Sequence, residues 1–264
     1  MNGNPSARVR RNRIILVVVL AAAAVVALGA GLLLGGGGPF AAAKGAGSTP
    51  TPTETARPAP ASTAPPASVD TFDRAKFSLD DPNSIWVVVN KLRPMNPQDF
   101  VPSDLVPVDV PYTNEPELRQ EAADAVIAMF QAATDEAGLT LASNSAYRSY
   151  ETQVNVYDGD DTLTARPGFS EHQTGLVMDI GAESGECSLD PCFADTPEGA
   201  WLRDNAWRFG FILRYPADKT DITGYAFEPW HFRYVGVELA TEMHETGVTT
   251  LEEFFGLPPA PNYE

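Results

Sequence analysis

Cysteine and histidine are scarce in this chain: two and three, respectively, among 264 residues. Two cysteines exclude a disulfide-dense scaffold and a cysteine-rich zinc ribbon. Three histidines leave few places where imidazole chemistry can occur, so each is weighed in turn. Basic side chains are also in the minority, 18 Lys and Arg against 35 Asp and Glu, for a formal net charge of −17. Phosphate binding needs a clustered basic surface, so no nucleic-acid partner is expected. Residues 70–264 contain no internal repeat and no second linker, which makes one domain the simplest reading.

What is present is unevenly placed. Residues 1–69 carry Arg8, Arg10, Arg11, Arg13, Lys44 and Arg57 against Glu54 alone, whereas residues 70–264 carry 12 basic and 34 acidic side chains. From Ile14 to Leu34 every residue is Ile, Leu, Val, Ala or Gly. That run makes a helix of roughly 30 Å, the thickness of a bilayer's hydrocarbon core. The arginines before it place residues 1–13 in the cytoplasm and the rest outside. The competing reading is a cleaved signal peptide, whose apolar core is typically about 7–15 residues. Ala41-Ala42-Ala43 would offer the cleavage site. The expectation is a single-pass membrane protein, with secretion after cleavage as the alternative. Residues 35–69, Gly/Ala-rich and then Ser/Thr/Pro/Ala-rich, cannot bury enough apolar surface to offset chain entropy and read as a disordered linker.

Residues 70–264 then form one extracytoplasmic domain. Ile85–Val89 is β-branched and aromatic and predicts a buried strand. Asn114 as cap, Pro116 in the first turn and Gly138 at the end predict a helix. Its apolar stripe is Leu118, Ala122, Ala125, Val126, Met129, Phe130 and Ala133. A strand is expected over 139–146, a helix over 197–209, a strand over 211–215 and a helix over 235–245, stopped by Gly247. Thr250 and Glu253 form a capping box for a last helix. Without a repeating βαβ rhythm, the fold class is α+β: a central antiparallel sheet flanked by helices.

His244, among glutamates on the expected C-terminal helix, reads as a surface side chain. His172 and His231 sit beside carboxylates in apolar or turn-forming segments. A His–Asp pair separated by a Gly turn (His172, Gly175, Asp179), with a distant second His, has the composition of a catalytic zinc site with an open position. Such a site needs a non-ligating carboxylate to take a proton, and Glu228 is the candidate. On spacing alone, two satisfied structural histidines are the commoner outcome.

Four motifs in order decide between these. Ser145-Ala146-Tyr147-Arg148-Ser149-Tyr150-Glu151-Thr152-Gln153 comes first, then Ala165–Gly175 with Ser170-Glu171-His172, then Asp179-Ile180, then Phe227-Glu228-Pro229-Trp230-His231-Phe232-Arg233-Tyr234. Together they resemble the VanY-type D-alanyl-D-alanine carboxypeptidases, within the wider group of zinc peptidases that includes lysostaphin and the hedgehog zinc fold. Asn90-Lys91, Arg93-Pro94 and Pro102–Leu105 resemble that family's N-terminal stretch. The resemblance implies that His172, Asp179 and His231 bind Zn2+ and that Glu228 is the general base and then the acid. It implies that Arg148 stabilises the scissile oxygen or holds the substrate's terminal carboxylate, and that Gln153 and Ser170 line the substrate pocket. The implied substrate is a peptidoglycan stem peptide, trimmed by D,D-carboxypeptidase action. L,D-carboxypeptidase or endopeptidase action and a non-catalytic wall-peptide module are the alternatives. Residues 154–164, with Asp158-Gly159-Asp160-Asp161, are shorter and more acidic than the family's usual segment, which concerns one wall of the cleft. Cys187 and Cys192, in an exported domain, are expected to form a disulfide, with free thiols or a second metal site as the alternatives.

Overall fold

The computed structural model describes residues 72–264. The expected basic tail, anchor and linker, residues 1–69, lie outside the described residues, as do residues 70 and 71 of the expected domain. Among the described residues no helix is long and apolar enough to cross a membrane.

The elements in chain order are β1 (Leu105–Pro107), β2 (Glu117–Arg119), α1 (Gln120–Ala137), β3 (Leu141–Ser145), α2 (Tyr150–Val156), β4 (Val177–Ala182), α3 (Pro197–Asn205), β5 (Phe211–Leu213), α4 (Thr220–Thr223), β6 (His231–Tyr234), α5 (Val237–Thr246) and α6 (Leu251–Phe255). β1 and β2 form a small antiparallel pair, and the main sheet has the order β3-β4-β6-β5. All its neighbours are antiparallel, in agreement with the expected α+β class.

Alternation along the strands divides the sheet into two chemistries. Met178 and Ile180 of β4, with Phe232 and Tyr234 of β6, join Val126, Met129 and Phe130 of α1 in one buried cluster. The residues between them, Asp179, His231 and Arg233, point to the other face. A second cluster collects Trp86, Val88, Val235, Leu239, Met243, Leu251 and Phe254.

Two expectations need correction. Helix α1 does not begin near Asn114, because Glu117–Arg119 pairs in register with Leu105–Pro107 and so is strand. Leu118 is therefore buried from a strand, while Asn114 donates to the Asn144 carbonyl. Gly138 does end the helix, in the left-handed conformation. The buried segment 85–89 is not a strand either. Its carbonyls are taken by side chains: Arg233 Nη2 donates to Ile85 O and Val87 O, and Arg93 Nε to Val88 O. Trp86 anchors it through Nε1 to Val235 O. The helix expected over 197–209 tightens into a 3-10 turn from Ala206 onward. Thr250 caps α6, accepting the Glu253 amide.

Candidate metal centre

β4 and β6 pair so that Asp179 stands directly opposite His231. His172 lies in a 3-10 turn, Glu171–Thr174, which enters β4 through Gly175. Gly175 has a φ of 68°, and a Cβ there would meet the Leu105 side chain at 2.9 Å, so glycine alone permits this reversal. The end of β3 clamps His172: the Arg148 amide donates to its carbonyl, and its Nδ1 lies 2.7 Å from the Ala146 carbonyl. A ring nitrogen so close to a carbonyl carries the proton, which leaves Nε2 with its lone pair turned inward.

That Nε2 is 3.4 Å from Asp179 Oδ2. His231 Nδ1 is 3.4 Å from Asp179 Oδ1 and 3.4 Å from Glu228 Oε2. Donor atoms of His172, Asp179 and His231 all lie within 4.8 Å of one another, and all three residues are buried. The distances are long for hydrogen bonds. They suit donors sharing one ion, since tetrahedral ligands about 2.0–2.2 Å from zinc stand roughly 3.3–3.5 Å apart. Asp179 Oδ1 is also buried without a hydrogen-bond partner. The residues present therefore fit a divalent cation.

The electrostatics agree. Burial would depress the His231 imidazolium, but Asp179, Glu171 and Glu228 outweigh it and hold the ring's pKa well above its ordinary value. A cation is favoured at this spot. Burial also lowers the pKa of His172, helped by Arg148. Burial raises the Glu228 carboxyl above the usual carboxylate range, against the opposing pull of His231.

The site opens into a cleft of about 580 Å³, lined among others by Arg148, Gln153, Ser170, Tyr215, Glu228 and Trp230. The Arg148 side chain makes no hydrogen bond or ion pair among the described residues, and its Nε is buried. Gln153 donates to Ala165 O and keeps a buried, unpartnered Oε1. Ser170 is buried at the start of the 3-10 turn. Every residue singled out for the chemistry is thus brought to one cleft. His244 is exposed on α5 and stacks on Trp207 instead. Cys187 and Cys192 are joined, and Leu189, Asp190 and Pro191 of their loop form one rim of the cleft.

Sequence reasoning missed the support beneath His231. Glu171 Oε1 accepts from Arg214 Nε at 2.9 Å and from Arg233 Nη1 at 3.0 Å. Arg214 in turn makes a bidentate pair with Glu252, which also accepts from Asn90. All four charged side chains have 0% exposure. Burial alone would raise the Glu171 carboxyl, but Arg214 and Arg233 hold it well below the usual range. Arg233 was accessible in principle, because it follows His231 by two residues on a strand and so shares its face. Arg214 interrupts an apolar run, Phe211-Ile212-Leu213, which is a second such signal.

A buried His–Asp–His cluster, with a carboxylate beside it and a cation across an open cleft, defines a metallopeptidase. Comparison with known proteins places it more narrowly. Residues 115–237 match the family model VanY, D-alanyl-D-alanine carboxypeptidase. The putative carboxypeptidase YodJ of Bacillus subtilis (strain 168) is 43% identical over 192 residues, 67% of this chain and 69% of that protein. The match to the D-alanyl-D-alanine carboxypeptidase of Enterococcus faecium is shorter and spans 35% of that protein. Among solved structures, the LD-carboxypeptidase LdcB is 43% identical with a TM-score of 0.62, over 66% of this chain and 87% of that one. The vancomycin-resistance D,D-pentapeptidase VanY, in complex with Zn(II), is 34% identical with a TM-score of 0.53, over 64% and 97%. The chain belongs to the VanY-type D-alanyl-D-alanine carboxypeptidase family.

Proposed function

We propose that the protein is a zinc-dependent D,D-carboxypeptidase that removes the terminal D-alanine from peptidoglycan stem peptides. The observation that carries this reading is the convergence of His172, Asp179 and His231 on one buried point, with Glu228 at 3.4 Å from His231 Nδ1 and an unpaired Arg148 in the same cleft. His172 Nε2, Asp179 and His231 Nδ1 would hold Zn2+. Zinc held there would supply Lewis acidity and would lower the pKa of water toward neutrality.

The chain's own groups do the rest. Glu228, its pKa raised by burial, takes the proton from the attacking water and returns it to the leaving amine of D-alanine. Arg148 meets the carboxylate that marks a peptide's C-terminus, or the negative charge developing on the scissile oxygen. The free Oε1 of Gln153 and the Ser170 hydroxyl orient the peptide. Arg148 makes no direct ion pair among the described residues, which favours a substrate that ends in a free carboxylate, and so an exopeptidase over an endopeptidase.

A second reading, L,D-carboxypeptidase action on the tetrapeptide, is favoured by the greater likeness to LdcB than to VanY. The two are separated by incubating metal-loaded protein with muramyl pentapeptide and muramyl tetrapeptide and measuring released D-alanine. Pentapeptide turnover supports the first and tetrapeptide turnover the second. No release from either would overturn both. We further infer that residues 14–34 tether this domain to the outer face of the cell membrane. Recovery of the full-length protein in the soluble fraction would overturn that inference.

A further inference from the structure

The environment of His231 carries a further inference, which rests on the proposed metallopeptidase reading. Its Nδ1 faces Asp179 and Glu228, and its Nε2 faces Glu171 Oε2 at 3.5 Å. Both His231 Nε2 and Glu171 Oε2 are buried, and neither has a hydrogen-bond partner among the described residues. The two orphans therefore have only each other. Glu171 cannot swing away, since its other oxygen is held by Arg214 and Arg233, and Arg214 is held by Glu252 of α6.

We propose that Glu171 is a positioning residue: its buried carboxylate, 3.5 Å from His231 Nε2, favours the proton on that nitrogen and so the tautomer that leaves Nδ1 free to bind the ion. The network that steadies it reaches beyond residues 115–237, through Glu252 and Asn90. Glu252 holds Arg214 and makes no contact with His231 itself.

The substitution Glu171→Gln tests this with almost no change of shape. The new amide must keep its oxygen toward Arg214 and Arg233, because both are donors. Its NH2 then faces His231 Nε2, and the ring can meet that donor only with a lone pair. The imidazole proton moves to Nδ1, the nitrogen that must ligate. Ligand partners of this kind typically change metal affinity roughly 10–100-fold.

The experiment uses full-length protein. Zn(II) affinity is measured by competition with a chromophoric chelator, and the visible spectrum of the Co(II)-loaded protein is recorded, for wild type, E171Q and E252Q. We expect E171Q to lose roughly 10–100-fold in affinity and to change the Co(II) bands. E252Q, which disturbs the same ionic network but leaves Glu171 against His231, is expected to melt earlier with near-wild-type affinity. Equal affinity and an unchanged spectrum in E171Q would overturn the proposal, and so would equal losses in both variants. If E171Q does not fold, E171D decides. It keeps the charge for the two arginines but withdraws by one methylene from His231. Weakened affinity then supports the proposal and unchanged affinity overturns it. Wild-type protein that bound no Zn(II) would overturn the metallopeptidase reading itself, and this inference with it.

Discussion

Replacing Arg233 by methionine tests how much of the domain's stability depends on the charged floor of the site. Arg233 is fully buried and donates to Glu171, Ile85 O, Val87 O and Tyr234 O, at 3.0, 3.1, 2.8 and 2.9 Å. Methionine fills similar volume but satisfies none of these acceptors. Removing one partner of a buried ion pair costs about 3–5 kcal/mol, because the other charge is left uncompensated. Here Arg214 still pairs with Glu171, so the lower end of that range applies. The stranded carbonyls of residues 85 and 87 add about 1–3 kcal/mol each where water cannot reach them. These terms are not additive, and about 5 kcal/mol is a fair working figure. Native domains are stable by only about 5–15 kcal/mol. For a domain of this size each kcal/mol lowers the melting temperature by about 2–4 °C. R233M should therefore melt about 10–20 °C below wild type in a circular-dichroism scan, if it folds at all. Arg208 is the control. It makes a bidentate pair with Glu136 at 2.6 and 2.8 Å, but both side chains are substantially exposed, so R208M should leave the transition nearly unmoved. A fall in R233M of less than about 5 °C would refute the claim that this arginine holds segment 85–89 in place of a strand partner.

Four further outcomes are expected. Glu228→Gln should reduce D-alanine release by about 10²–10⁴-fold while leaving bound metal per protein unchanged, as read by kinetics and elemental analysis. Chelator treatment should abolish hydrolysis, and added Zn(II) should restore it. Activity that survives metal removal would contradict the role given to His172, Asp179 and His231. Arg148→Met should raise KM more than it lowers kcat if the guanidinium binds the terminal carboxylate. A loss confined to kcat would assign it to the scissile oxygen instead. Removing the disulfide with Cys187→Ser and Cys192→Ser should cost about 2 kcal/mol for so short a loop, measured by denaturant unfolding. The same change frees Leu189, which lines the cleft with a φ of 53°, so stem-peptide KM should shift as well.

The candidate site was more legible in the sequence than the fold around it. His172, Gly175 and Asp179 are close in sequence, and a glycine reversal is enough to aim the first and last at one point. Leu118 to Ala133 announced a buried face because apolar spacing is a local property. The start of α1 was not local: it depends on whether residues 117–119 find a partner strand, and that partner lies in residues 105–107. Segment 85–89 failed for the same reason. Its β-branched run reported burial correctly, as Trp86, Val87, Val88 and Val89 are all buried. Burial does not specify who takes the backbone's hydrogen bonds, and the answer, Arg233, stands almost 150 residues away. Glu171 was visible only as a letter beside a histidine, since its meaning comes from arginines 43 and 62 residues downstream.

The pairing of β4 with β6 explains why the site and the core cannot vary independently. In β6, Phe232 and Tyr234 enter the cluster under α1, while His231 and Arg233 face the cleft and its charged floor. In β4, Met178 and Ile180 make the same division against Asp179. A slip of one residue in either strand would carry a charged side chain into the apolar cluster and a large apolar one into the metal centre. The apolar face thus sets the register that puts Asp179 opposite His231. The charged face adds little net stability by itself, since burying ions costs nearly what their pairing returns. What it contributes is orientation. Two guanidiniums hold one carboxylate, that carboxylate faces one imidazole nitrogen, and the other nitrogen of the same ring is left for chemistry.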